Sequence, residues 1–164
     1  LSENKGIDIA VWFANQLGAK LTIAGEIREE DKSFLEKEVM KYIDGEQIKF
    51  IGEIGHTEKV SLLGSASALL FPSRWNEAFG LVMIESLACG TPVIALNNGA
   101  VAEVLKDGKT GFIVEDELSF GEAMKKVDEI SREACRTEAE KNFDISAMAK
   151  NYEKVYKSLI EKNK

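Results

Sequence analysis

Five short apolar runs, at residues 21–24, 47–51, 68–71, 92–96 and 111–114, set the terms on which this chain can fold. The runs read as unbroken rather than alternating, the pattern of a strand buried on both faces. Between them lie segments of helical period. In residues 5–17, for example, Ile9, Ala10, Phe13, Ala14 and Leu17 recur at three- and four-residue steps and share one face. Further helices are expected at 31–43, 57–65, 79–89, 101–105, 119–142 (broken near Ser131) and 146–162. Strand and helix alternate with short turns, so the crossovers are right-handed and the strands parallel. The expected class is α/β: a Rossmann-like parallel sheet with helices on both faces, in one domain over residues 1–164.

A helix ahead of the first strand is unusual for such a fold. The chain also opens on Leu1 rather than Met. The expectation is an excised or processed piece, with a strand belonging just before Leu1.

Composition removes several classes of function. Lys plus Arg is 21 against 28 for Asp plus Glu, a net charge of −7, so the chain lacks the basic stripe that nucleic acid requires. No apolar run approaches the roughly 18 residues of a membrane span, and no signal peptide is legible. Cys89 and Cys135 are far apart and His56 is the one histidine, so neither a cysteine zinc site nor a disulfide framework is expected. A reducing, cytoplasmic setting follows as an expectation.

Parallel strands end on one edge, and ligands of such sheets bind in the crevice beyond it. The loops expected there carry Gly25-Glu26, Gly52-Glu53-Ile54, residues 72–79, and Asn97-Asn98-Gly99. The helix expected at 79–89 is apolar almost all round and reads as a buried central helix. Glu85 interrupts it. Leu81, Val82, Ala88 and Cys89, three and four residues away, are all apolar. An ionised carboxylate there needs a partner, which is either a lysine or arginine of the chain or a ligand. Glu77 stands just ahead of the same helix. The amides of Ala78, Phe79, Gly80, Leu81 and Val82 are the free donors of a helix start, suited to phosphate, and Gly80 keeps a side chain out of the approach. A carboxylate beside such amides suits sugar hydroxyls, although Glu77 is also well placed simply to face the helix dipole.

Other motifs fail on spacing. Gly108-Lys109-Thr110 looks like the end of a phosphate loop, but the glycine required five residues earlier is Glu103. The dinucleotide fingerprint and the hydrolase nucleophile elbow are absent. Glu29-Glu30-Asp31 reads as a solvated helix start. His56, after Gly55, reads as a surface or capping residue, with acid–base work a minor option.

Taken together, these residues resemble the donor-binding C-terminal domain of GT-B-fold glycosyltransferases, in particular the retaining family 4. The resemblance rests on Glu77-x7-Glu85. It extends through Phe71-Pro72-Ser73, Phe79-Gly80-Leu81, Cys89-Gly90-Thr91-Pro92, Glu103-Val104, Gly108-Lys109-Thr110-Gly111-Phe112 and Lys5-Gly6, in order and over nearly the whole chain. It implies one half of a GT-B fold that binds a nucleoside-diphosphate sugar, GDP-mannose favoured and UDP-glucose next. The implied reaction is retaining transfer of a hexose to an acceptor glycan or lipid, with no metal or other cofactor.

By the same resemblance, Lys5 neutralises the departing diphosphate and Glu77 holds the transferred sugar. The amides from Phe79 to Val82 hold sugar and phosphate, Glu85 binds the ribose hydroxyls, and Gly52, Glu53 and Ile54 frame the base. An arginine that usually precedes the lysine by five residues would fall before Leu1. The acceptor domain lies outside this chain, so the chain alone is expected to be inactive in transfer.

Met148, Tyr152, Val155, Tyr156 and Leu159 line one face of the last helix, fit to cover the sheet or to join domains. Lys150, Lys154, Lys157, Lys162 and Lys164 leave peripheral contact with an anionic membrane open, although a solvated face accounts for them. The competing readings are a GT-B-fold epimerase or phosphorylase and a non-catalytic nucleotide-binding module.

Overall fold

The structure is a computed structural model that describes residues 1–162. Strands and helices alternate in the order α1 (Ile7–Leu17), β1 (Leu21–Ile23), α2 (Lys32–Glu38), β2 (Ile48–Phe50), α3 (His56–Ser65), β3 (Leu69–Phe71), α4 (Leu81–Ala88), β4 (Val93–Leu96), α5 (Val101–Val104), β5 (Gly111–Val114), α6 (Glu117–Lys126), α7 (Arg132–Asn142) and α8 (Ile145–Lys162). Every strand pairing is parallel, as the alternation requires.

The pairing divides the strands into two sheets. β1 bonds β2 with Leu21 opposite Ile48, and β4 lies between β3 and β5. Among the described residues, β1 pairs only with β2 and β3 only with β4, so each keeps one edge without a strand. The opening residues run past the ends of both. The amino group of Leu1 donates to the Glu26 carbonyl after β1 at 2.7 Å, and the Arg74 amide after β3 donates to the Asn4 carbonyl at 2.8 Å.

Three apolar clusters hold the layers together. Phe71, Val93 and Ala95 pack with Met83 and Leu87 of α4 and with Cys135 and Ala139 of α7 on one face of the three-stranded sheet. Ile94, Leu96 and Val114 meet Ile9 of α1 and Phe120 and Ala123 of α6 on the other. Ile23 and Ile48 of the two-stranded sheet pack with Val11 and Ala14 of α1 and Leu35 of α2. Helix α1 therefore straddles both sheets. Only β4 is buried at every residue; Thr22 and Lys49, paired across the smaller sheet, are exposed.

Several element boundaries differ from the sequence expectation, each for a local reason. Residues 3–5 form a 3-10 turn and Gly6 takes a left-handed φ of 65°, so the first helix starts at Ile7 rather than at Lys5. A Cβ on Gly6 would lie 1.9 Å from the Pro72 carbonyl oxygen. The helix expected at 31–43 is α only at Lys32–Glu38, with 3-10 turns on either side. The break near Ser131 is real: the Ser131 hydroxyl caps α7 by accepting the Ala134 amide. Helix α8 does not cover the sheet. It touches α7, none of its residues is buried, and Met148, Tyr152, Val155, Tyr156 and Leu159 are all exposed. Lys164, one of the lysines singled out above, lies outside the described residues.

Candidate functional site

Because the strands are parallel, the loops after β2, β3 and β4 leave their sheets at C-terminal ends. The loop after β3, residues 72–80, carries Glu77, Ala78, Phe79 and Gly80 of the expected site. Two close backbone approaches fix it. Gly99, in the loop after β4, has a φ of 61°, and a Cβ there would fall 2.3 Å from the Glu77 carbonyl oxygen. The Ala100 amide donates to that same carbonyl at 2.8 Å. On the other flank, Gly6 rests against Pro72. Arg74 ties the loop to the N-terminal turn, donating to the Glu3 carbonyl at 3.1 Å, and to α1 and α6, donating to both Asp8 carboxylate oxygens at 2.8 and 2.9 Å and to Glu117 at 2.9 Å. The hydrogen bonds to Asp8, then to Glu117, push the Arg74 pKa further up from its already high ordinary value.

These contacts bring Lys5 to Glu77 across 72 residues of sequence. The Lys5 Nζ lies 2.5 Å from Glu77 Oε2, and the Glu77 side chain is 18% exposed. The pair stands at the start of α4, whose N-cap is Gly80 with a φ of 78°. The left-handed turn moves the helix start from the expected Phe79 to Leu81, and a Cβ on Gly80 would strike the Met83 methyl at 2.3 Å. Among the described residues, the amides of Ala78, Phe79, Gly80, Leu81 and Val82 donate to no other group of the chain. Five open donors beside an ammonium make an electropositive corner for an anion.

Helix α4 is less enclosed than its composition suggests. Met83, Ser86 and Leu87 are buried, but Leu81 is 67% exposed and Phe79, ahead of the helix, is 48% exposed. Both flank the open amides instead of entering the core. Glu85 has a partner within the chain and is about a third exposed. Its Oε1 accepts from Lys59 Nζ of α3 at 2.6 Å, and its Oε2 takes no bond among the described residues. Lys59 had no sequence signal, because it lies 26 residues away on a different helix. Arg74 was equally silent, although it sits inside the loop that the sequence marks.

Gly52, Glu53 and Ile54 occupy the loop between β2 and α3. Gly52 has a φ of 71° and its carbonyl accepts the Gly25 amide at 2.8 Å, which joins the ends of β1 and β2. His56 is the exposed first residue of α3. Gly108, Lys109 and Thr110 form a structural turn in which the buried Thr110 hydroxyl accepts the Lys106 amide. Among the described residues, no three His, Cys, Asp or Glu side chains are grouped to hold a metal ion. No described helix is long and apolar enough to cross a membrane. A cleft of about 290 Å³ beside α1, lined by Asp8, Trp12, Phe13, Tyr42 and Glu117, contains none of the expected site residues.

Comparison with known proteins identifies the family of the chain. The family described as "Glycosyl transferases group 1" matches residues 1–152. The chain is similar to a glycogen synthase of Mycobacterium tuberculosis, 36% identical over 116 residues that cover 68% of this chain and 27% of that protein. It is similar to a phosphatidyl-myo-inositol mannosyltransferase of Mycobacterium leprae, 31% identical over 121 residues that cover 70% of this chain and 32% of that protein. The solved structure of sucrose-phosphate synthase from Thermosynechococcus elongatus superposes with a TM-score of 0.82 at 26% identity, over 98% of this chain and 43% of that one. The chain thus spans less than half the length of each of these proteins. With its α/β architecture of parallel strands and its match over residues 1–152, the chain belongs to the group 1 glycosyltransferases of the GT-B fold.

Proposed function

We propose that this chain is the donor-binding domain of a glycosyltransferase that takes a hexose from a nucleoside-diphosphate sugar, GDP-mannose first and UDP-glucose next. The observation that carries the reading is the Lys5–Glu77 pair, 2.5 Å apart, set beside the open amides of residues 78–82 with Glu85 further along the same helix. In the proposed complex, Lys5 turns from Glu77 to the diphosphate. It and the amides stabilise the charge that grows on the leaving group, with no metal taking part. Glu77 accepts hydrogen bonds from hydroxyls of the transferred sugar, Glu85 from the ribose, and the loop at Gly52, Glu53 and Ile54 borders the base. Transfer retains the anomeric configuration.

The acceptor, a glycan or lipid, is held by a companion domain. The similarity to a mannosyltransferase supports the choice of sugar.

The test is a thermal-shift titration with GDP, UDP, ADP and their sugar conjugates. A ligand at about 100 times its dissociation constant stabilises the fold by roughly 2.7 kcal/mol. One nucleotide family is expected to raise the melting temperature of the chain, and Glu85→Ala is expected to abolish the rise. A rise that survives Glu85→Ala would overturn the assignment of the ribose site.

A further inference from the structure

We propose that Lys59 is a positioning residue of the nucleotide site, holding Glu85 ready for a ribose diol and linking it rigidly to the loop that borders the base. The inference rests on the reading of Glu85 given above and adds a residue to it. Lys59 reaches from the first turns of α3 to the middle of α4, where its Nζ meets Glu85 Oε1 at 2.6 Å. Only one carboxylate oxygen is engaged. Oε2 accepts nothing among the described residues and stays available to a hydroxyl donor.

The other end of Lys59 is fixed as well. Its amide donates to the Gly55 carbonyl at 2.9 Å, and the Gly55 amide donates to the Glu58 carboxylate at 2.9 Å. Gly55, which ends the loop after β2, is thus joined to Glu85 through Lys59 by successive hydrogen bonds.

The fold itself needs this pair little. The two side chains are 35% and 36% exposed, and a pair so open to water adds little to stability. Its effect falls on the carboxylate. A free glutamate side chain has several rotamers, and the ammonium favours the one that keeps Oε1 against Lys59 and leaves Oε2 unbonded. Ordering the acceptor before the ligand arrives lowers the cost of binding.

Affinities for GDP, UDP and ADP, each beside its 2′,3′-dideoxy analogue, separate positioning from mere structure. Lys59→Met is expected to weaken binding of the preferred ribonucleotide about five- to tenfold. The dideoxy analogue should bind the two chains alike, because it lacks the diol that Glu85 would accept. Lys59→Arg should restore most of the affinity, and the melting temperatures of the free chains should agree. In a Glu85→Gln background, Lys59→Met should change nothing further.

Tighter or unchanged ribonucleotide binding by Lys59→Met would overturn the proposal, as would an equal loss for the dideoxy analogue. If Glu85→Ala weakens binding while Lys59→Met does not, only the role of Lys59 fails. If Glu85→Ala binds as the unaltered chain does, or if none of the three nucleotides binds, the donor-site reading fails with it.

Discussion

Glu77 is held by its backbone as much as by its side chain. Gly99 and Ala100 pack on its peptide groups, and the left-handed φ of Gly99 puts its missing Cβ where the Glu77 backbone stands. Gly99→Ala therefore meets both a strained φ and a collision with main chain. Such strain alone costs about 1–3 kcal/mol, and relieving the collision displaces the Glu77 backbone. The expected outcome is a lower melting temperature together with loss of any nucleotide-sugar stabilisation. Gly64 supplies the contrast. It lies inside α3 with nothing within 4 Å of an added Cβ, and Gly64→Ala is expected to raise stability by about 0.5–1 kcal/mol. Thermal melts of the two variants with and without nucleotide sugar check both outcomes.

At the scale of elements, the start of α6 carries part of the titratable stability. Asp116 caps α6: the Ser119 amide and hydroxyl both donate to it, at 2.8 and 2.9 Å, and hold its carboxyl below the usual carboxylate range. A carboxyl depressed by folding contributes above its unfolded pKa, and the contribution is lost as acid titrates the folded form. Asp116→Ala should therefore lower the melting temperature at neutral pH, with the difference closing below about pH 4. Elements of this kind were largely legible in the sequence. The helix break near Ser131, the parallel strand runs and the need of Glu85 for a partner all follow from local pattern. The start of α1 and the start of α4 were not legible, because Gly6 and Gly80 are left-handed for reasons of contact with Pro72 and Met83. The pairs Lys5–Glu77 and Lys59–Glu85 were hidden for a similar reason: only the fold says which lysine arrives. The sequence marked the site's acceptors and open amides, and left its cations and tethers unassigned apart from Lys5, which the family resemblance supplied.

For the whole molecule, helix α1 is the common support of two sheets that share no hydrogen-bonded ladder. Val11 and Ala14 serve one cluster and Ile9 the other. Amide exchange is expected to fall into two groups: slow in β4 and β5, enclosed by α4, α6 and α7, and faster in β1 and β2, where Thr22 and Lys49 are open to water. Local opening of the smaller sheet with the larger one intact is the expected sub-global event. Mass spectrometry after deuteration would read it directly, and uniform protection across all five strands would contradict it. Among the described residues, β1, β2, β3 and β5 each carry one edge without a strand, which has a colloidal consequence for the chain as it stands. A row of unpaired peptide groups is a template for a further strand, so crowding favours pairing between copies at these edges. Concentration, as much as heat, then sets the limits within which this domain stays a separate particle.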